Sequence, residues 1–132
     1  MNTGSLNKTI LITGAILGLL AVILGAFGAH GLEKLVDANN IDSFATGTRY
    51  QMYHAIFCLF LANINTFSER SKKRIFSFII SGILLFSGSI YLLVVDEIFN
   101  ISLSSIGFIT PLGGLLLILG WVFLLISCIK IK

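Results

Sequence analysis

Four long apolar stretches with almost no charge inside them dominate the sequence. They run over Thr9–Ala29, Tyr50–Phe67, Ile75–Val95 and Ile106–Ile129. A helix needs about 20 apolar residues to cross a hydrocarbon core of about 30 Å. The second stretch reaches this length when Phe44–Arg49 is added as a turn at the interface. The pattern predicts helices at about residues 9–29, 44–67, 75–95 and 106–129, in one transmembrane domain over residues 1–132.

The composition supports a membrane protein rather than a soluble one. Of 132 residues, 56% are hydrophobic and only 11% are charged, whereas soluble proteins carry about 25% charged residues. The mean hydropathy is +0.99, and a soluble fold could not cover so much apolar surface without aggregating. We therefore predict an all-α fold, an integral membrane four-helix bundle. Because the basic residues flank the helices instead of forming one exposed face, nucleic acid is not an expected partner.

The distribution of Lys and Arg predicts the orientation of the chain. With four spans, both termini and the loop between helices 2 and 3 lie on one side of the membrane. That side holds seven of the nine Lys and Arg residues, namely Lys8, Arg70, Lys72, Lys73, Arg74, Lys130 and Lys132. The positive-inside rule then places both termini in the cytoplasm of a multi-pass bacterial plasma-membrane protein. Contact of Ser71–Arg74 with anionic lipid heads is an alternative role for the basic run, but orientation alone is the favoured interpretation.

Small residues form stripes on two of the predicted helices. Helix 1 carries Gly14, Gly18, Ala21, Gly25 and Gly28 at spacings that place them on one face. In helix 4, Gly113, Gly120 and Ser127 repeat every seven residues. Small residues let two helix backbones approach closely in lipid, where hydrophobic burial between helices contributes little. We therefore predict glycine-seam packing, with the partner left open between this chain and another subunit.

Helix 2 is the least apolar span and carries a polar stripe. Gln51, His54, Cys58 and Asn65 fall on one face, which should turn toward protein or water because exposed polar groups are costly in lipid. Tyr50 and Tyr53 sit where an outer aromatic belt belongs. Trp121 lies deeper than such a belt, so its indole N–H is expected to find a partner inside the bundle. The expected helix starts are Asp42 or Ser43 as N-cap of helix 2 and Thr110-Pro111 for helix 4.

The two histidines suggest a polar cluster at the outer leaflet. Its members would be His30, Tyr50, Gln51, Tyr53 and His54. The favoured interpretation is a hydrogen-bonded lock between helices. Metal or headgroup binding and proton-linked work are the alternatives. His30 and His54 with Glu33 are weak candidates for a divalent metal such as zinc, but neither a metal nor another cofactor is expected.

Three sequence motifs carry a resemblance to a known family. They are Gly25–Leu32, Thr46–Ala55, and Thr110–Gly114 together with Leu119–Trp121. This pattern resembles domain-of-unknown-function family 423, which consists of small bacterial inner-membrane proteins. The resemblance covers all four helices and implies an integral plasma-membrane protein. The resemblance implies no catalytic residues.

The chemistry in the sequence favours a non-enzymatic role. No carboxylate pair, Cys–His dyad or serine–base arrangement is expected at one depth, and no counterpart exists to the buried glutamate of small multidrug exporters. We expect a structural, assembly or lipid-binding role in the cell envelope. The partners would be membrane lipids and another copy of the chain or another membrane protein. The alternative is an oligomeric channel or small-solute transporter that uses the polar stripe of helix 2.

Overall fold

The computed structural model describes residues 3–131, and most of this part of the chain is helical. The helices are α1 Thr3–His30, α2 Ala38–Asn63, α3 Glu69–Phe99 and α4 Ile109–Ile129. Short 3₁₀ helices at Leu32–Lys34 and Ser104–Phe108 precede α2 and α4. The prediction of an all-α chain with four long helices is confirmed. Lys132, which was counted among the cytoplasmic basic residues, lies outside the described residues.

The start and end of α2 differ from the sequence expectation. The N-cap is Asp37 rather than Asp42 or Ser43, because the Asp37 carboxylate accepts a hydrogen bond of 2.8 Å from the backbone N–H of Asn40. An N-cap oxygen satisfies one of the free N–H groups of the first turn. At the other end α2 stops at Asn63, so Asn65 is exposed beyond the helix and leaves the polar stripe.

The starts of α3 and α4 also differ from the prediction, since α3 begins at Glu69 instead of residue 75 and α4 begins at Ile109 instead of residue 106. Ser68 caps α3 by accepting a hydrogen bond of 3.2 Å from the backbone N–H of Ser71. The prediction of Thr110 as the cap of α4 is wrong, because the helix already begins at Ile109. The Thr110 hydroxyl instead lies 2.6 Å from the Ser89 hydroxyl on α3. The Thr110 hydroxyl therefore links α4 to α3 and does not cap α4.

The helices pack in the order of the chain. α1 lies along α2, α2 contacts α3, and α4 lies along α3. Among the described residues, no Cα atom of α1 comes within 8 Å of one in α4. The main core joins α1, α2 and α3, where Ile10, Leu61, Ile75 and Ile79 are fully buried, and α4 adds Leu117 to it. A smaller cluster of Leu32, Phe44 and Val94 closes the opposite end.

Three of the helices are long and apolar enough to cross a membrane by length and composition. Within the described residues they are Gly4–His30, Glu69–Phe99 and Ser105–Ile129. The outward faces of these helices carry many exposed Leu, Ile, Val and Phe side chains, which is the arrangement expected in lipid. α2 is not among the three because polar residues interrupt its apolar sequence.

Two glycines of α1 lie against α2. A Cβ atom at Gly14 would be 3.0 Å from the carbonyl oxygen of Ala55, and one at Gly28 would be 2.7 Å from Cδ1 of Phe44. A Cβ at Gly18 would make an ordinary contact of 3.7 Å, whereas one at Gly25 would meet no atom within 4 Å. The five-residue stripe therefore shares one face but differs in how tightly each member is packed.

Two glycines of α4 and one of α3 lie at the contact between these two helices. A Cβ atom at Gly113 would collide with the backbone nitrogen of Phe86, and one at Gly120 would lie 2.7 Å from Cδ1 of Ile79. On α3, Gly82 faces Leu117, whose Cδ2 would be 2.6 Å from an added Cβ. Backbones this close gain dispersion contacts that larger residues would prevent.

Candidate functional site

Gln51 links three helices through its side-chain amide. The side chain is 4% exposed. Its Nε2 donates a hydrogen bond of 2.9 Å to the carbonyl oxygen of Leu17 on α1. Its Oε1 accepts one of 2.8 Å from the Tyr91 hydroxyl on α3. Both ends of the amide are therefore used inside the chain.

His54 joins α2 to α4 and is equally enclosed. The indole Nε1 of Trp121 donates to His54 Nε2 over 3.2 Å, and His54 Nδ1 lies 2.7 Å from the carbonyl oxygen of Tyr50. An indole N–H can only donate, so Nε2 accepts and the proton sits on Nδ1, which donates to Tyr50. The imidazole is thus neutral, with both nitrogens engaged. The expected partner for the Trp121 indole inside the bundle is confirmed.

Serine hydroxyls add two further bridges to α3. Ser87 is 1% exposed and donates a hydrogen bond of 2.8 Å to the carbonyl oxygen of Gly47 on α2. Ser89 meets Thr110 of α4, as described above. We call the set Gln51, His54, Ser87, Tyr91 and Trp121 the polar network. It connects all four helices.

The predicted outer-leaflet cluster is only partly assembled. Gln51 and His54 are buried in the polar network, and Tyr50 packs beside them with its ring centroid 6.3 Å from that of His54. Tyr53 is exposed and contacts Tyr50, with the ring centroids 6.0 Å apart. His30 is exposed at the end of α1 and contributes no hydrogen bond to the polar network within the described residues.

The structure also tests the hypothesis that His30, His54 and Glu33 hold a divalent metal ion. In residues 3–131 no group of three or more His, Cys, Asp or Glu side chains is placed to hold a metal ion. Glu33 is exposed in the turn after α1, while the nitrogens of His54 are bonded to protein. Cys58 and Cys128 are free thiols, one buried and one exposed.

Lys72 is a site residue that the sequence interpretation misplaced. It was grouped with the basic run that orients the chain, yet its side chain is 1% exposed. Nζ donates hydrogen bonds of 2.9 Å to Asn7 Oδ1 and 3.1 Å to the carbonyl oxygen of Ala62. The Ala62 carbonyl belongs to the last turn of α2, where carbonyls lack helical partners. The spacing of residues in the sequence could have revealed this burial, because Lys72 shares a helix face with Ile75 and Ile79.

Comparison with known proteins finds relatives along most of the chain. A family model described as "Protein of unknown function (DUF423)" matches residues 24–114. The chain is 41% identical to the UPF0382 membrane protein YwdK of Bacillus subtilis, over 93% of this chain and 98% of the relative. It is 39% identical to a UPF0382 membrane protein of Staphylococcus saprophyticus, over 94% and 99%.

A third relative shows a similar identity over most of the chain. It is a UPF0382 membrane protein of Haemophilus influenzae, 39% identical over 89% of this chain and 91% of the relative. No solved structure matches the chain. The resemblance based on the three sequence motifs is therefore confirmed. These relatives are named as membrane proteins, and the chain aligns with nearly their full length. The chain belongs to the DUF423 family of bacterial membrane proteins.

Proposed function

We propose that this protein is a non-enzymatic, four-span plasma-membrane protein with both termini in the cytoplasm. Its role is structural: the apolar outer faces of its helices bind membrane lipid and neighbouring membrane proteins. The observation that carries the proposal is the closed polar network. Gln51 and His54, the buried side chains in the polar stripe of α2, are hydrogen-bonded to α1, α3 and α4 of the same chain, and these bonds favour a structural role over substrate binding.

The placement of charge agrees with this role. The sequence has no Asp, Glu, Lys or Arg within residues 9–29, 50–67, 75–95 or 106–129. Proton- and ion-coupled transporters carry ionisable groups inside the membrane. Within these four segments, His54 is the one side chain of a type that titrates near neutral pH. Its nitrogens are hydrogen-bonded to the Trp121 indole and the Tyr50 carbonyl.

The register of α2 against α1 supports a fourth span. Near one end of α1, Gly28 lies against Phe44, and near its middle Gly14 lies against Ala55. α2 therefore runs antiparallel to α1 over most of its length. Because α1 is long enough to cross the membrane, a helix that accompanies it occupies the same depth. The polar residues of α2 face its partners and need not face lipid.

The two ends of the bundle differ in charge as the positive-inside rule requires. At the end with the N-terminus, the described cations are Lys8, Arg70, Lys72, Lys73, Arg74 and Lys130, with Glu69 as the acid. The other end carries Lys34 and Arg49 against Glu33, Asp37, Asp42, Asp96 and Glu97. The basic end belongs in the cytoplasm, and glycine seams that hold α1 to α2 and α4 to α3 complete the proposed bundle.

Flux measurements in proteoliposomes test the proposed role. We expect vesicles that hold the purified protein to release K⁺, protons and small fluorescent solutes no faster than empty vesicles. His54→Ala should leave that background unchanged but lower the melting temperature. The variant loses the Trp121 hydrogen bond, which is worth about 0.6 kcal/mol in membrane proteins, and it also creates a cavity.

Tyr53→Ala is the matched control for this experiment. Tyr53 is one residue away on the same helix, but its side chain is 58% exposed, so its loss should change the melting temperature little. Flux above background that falls in the His54→Ala vesicles would contradict the structural role and establish a pathway along α2.

A further inference from the structure

A basic pocket lies at the cytoplasmic end of the bundle, against the first turns of α3. Its volume is about 610 Å³. The lining consists of Leu6 from α1 with Glu69, Arg70, Lys73, Arg74 and Ser77 from α3. Residues three and four positions apart lie on one helix face, so these α3 side chains point to the same side. We call this site the basic pocket.

The cations of the basic pocket have no carboxylate partner in the described structure. The ion pair found among residues 3–131 is Arg49 with Asp42 at the opposite end, 3.7 Å apart. Arg70, Lys73 and Arg74 are exposed and contribute three positive charges against the one negative charge of Glu69. The N-terminal end of α3 adds a partial positive charge at the same place. The pocket therefore has an uncompensated attraction for an anion.

One of the three cations is held in position by packing. The Arg74 guanidinium carbon lies 5.2 Å from the centroid of the Phe123 ring on α4, within the range of a cation–π interaction. This contact fixes Arg74 between α3 and α4. Less conformational entropy is then lost when a ligand binds.

A second, apolar groove adjoins the basic pocket at Ser77, toward the middle of α3. The groove has a volume of about 200 Å³ and is lined by Ser77, Phe78, Ser81 and Leu116. Ser77 also lines the basic pocket, so the two cavities share a wall. Serines one turn apart at Ser77 and Ser81 leave room between α3 and α4. A polar pocket next to an apolar groove is the arrangement that would hold a phosphate headgroup and then an acyl chain.

We infer that the basic pocket binds the phosphate of an anionic glycerophospholipid, with one acyl chain in the groove toward Leu116. Arg70 and Lys73 would contact the phosphate oxygens, and Arg74 would flank them from the side of α4. A free phosphate ion would use the pocket but not the groove, which favours the lipid. The assignment to the cytoplasmic leaflet rests on the proposed function, but the binding itself does not.

Native mass spectrometry in neutral detergent, with phosphatidylglycerol as the added lipid, tests this site. The test variant is Arg70→Gln/Lys73→Gln, which keeps Arg74 and its packing on Phe123. The control is Lys8→Gln/Lys130→Gln, which removes two exposed charges from the same end outside the basic pocket. We expect roughly thirtyfold weaker phosphatidylglycerol binding in the test variant, given the usual contribution of two basic residues near a lipid surface. The control should bind as the wild type does.

Two further arms identify the ligand chemistry. Phosphatidylcholine should bind the wild type at least tenfold more weakly than phosphatidylglycerol, and inorganic phosphate at 10-fold excess should not displace the lipid. Equal losses in both double variants, equal binding of the two lipids, or displacement by phosphate would each overturn the proposed lipid site. Flux in the vesicle experiment would contradict the structural role and leave this binding result untouched, so the two failures are distinguishable.

Discussion

Gly113→Ala is expected to destabilise the protein by about 3 kcal/mol or more, the largest effect of any single methyl group added to this chain. The added Cβ would overlap the backbone nitrogen of Phe86 and lie 2.7 Å from the Leu85 carbonyl carbon. Overpacking usually costs about 1–3 kcal/mol, and more where side-chain movement cannot relieve it. Here the obstacle is backbone, so α4 would have to move away from α3. Denaturant unfolding in neutral detergent measures the loss.

The neighbouring glycine supplies the control for that experiment. A Cβ at Gly114 would lie 3.7 Å from the Phe86 ring, which is an ordinary contact. Both substitutions gain the same helix propensity, about 1 kcal/mol in favour of alanine. Gly114→Ala should therefore be neutral or stabilising. If the two variants unfold at the same denaturant concentration, the close approach of α3 and α4 at Gly113 is wrong.

Lys72→Ala is expected to destabilise the protein by about 2–4 kcal/mol. The substitution empties a site that is 1% exposed, and large-to-small changes at buried positions cost about 2–5 kcal/mol. It also leaves the Asn7 amide oxygen and the Ala62 carbonyl without their donor. Thermal unfolding in neutral detergent without anionic lipid measures the effect apart from the basic pocket.

Lys73→Ala serves as the matched control for Lys72. It changes the same residue type one position along α3, but its side chain is exposed. Surface substitutions of this kind usually change stability by no more than about 0.5 kcal/mol. A Lys72→Ala variant as stable as Lys73→Ala would contradict the burial of Lys72 between the ends of α1, α2 and α3.

Hydrophobic patterning alone predicted the class of fold. The four apolar stretches correspond to the four helices, three of which are long and apolar enough to cross a membrane. The buried face of α2 contains the polar residues Gln51 and His54 as expected. The reason is physical: a polar group in lipid must turn toward protein, and helix periodicity then fixes its neighbours on that face. The need of Trp121 for an internal partner followed from the same argument.

The contacts between distant segments could not be predicted in the same way. Asn7 and Lys72 are 65 positions apart, and no local pattern specifies that the N-terminus of α1 reaches α3. Lys72 was interpreted by its charge, although its register with Ile75 placed it on the buried face. Tyr91 was not singled out in the sequence, although its hydroxyl donates a hydrogen bond to Gln51 across the bundle. Such pairings depend on helix rotation and depth, which composition does not encode.

Cysteine accessibility tests whether α2 crosses the membrane. In a chain carrying Cys58→Ala and Cys128→Ser, single substitutions Asn39→Cys and Asn65→Cys place exposed thiols at the two ends of α2. We predict that a membrane-impermeant maleimide labels the first in intact cells and the second only after permeabilisation. Labelling of both from the same side would contradict a four-span topology, and the reverse pattern would contradict cytoplasmic termini.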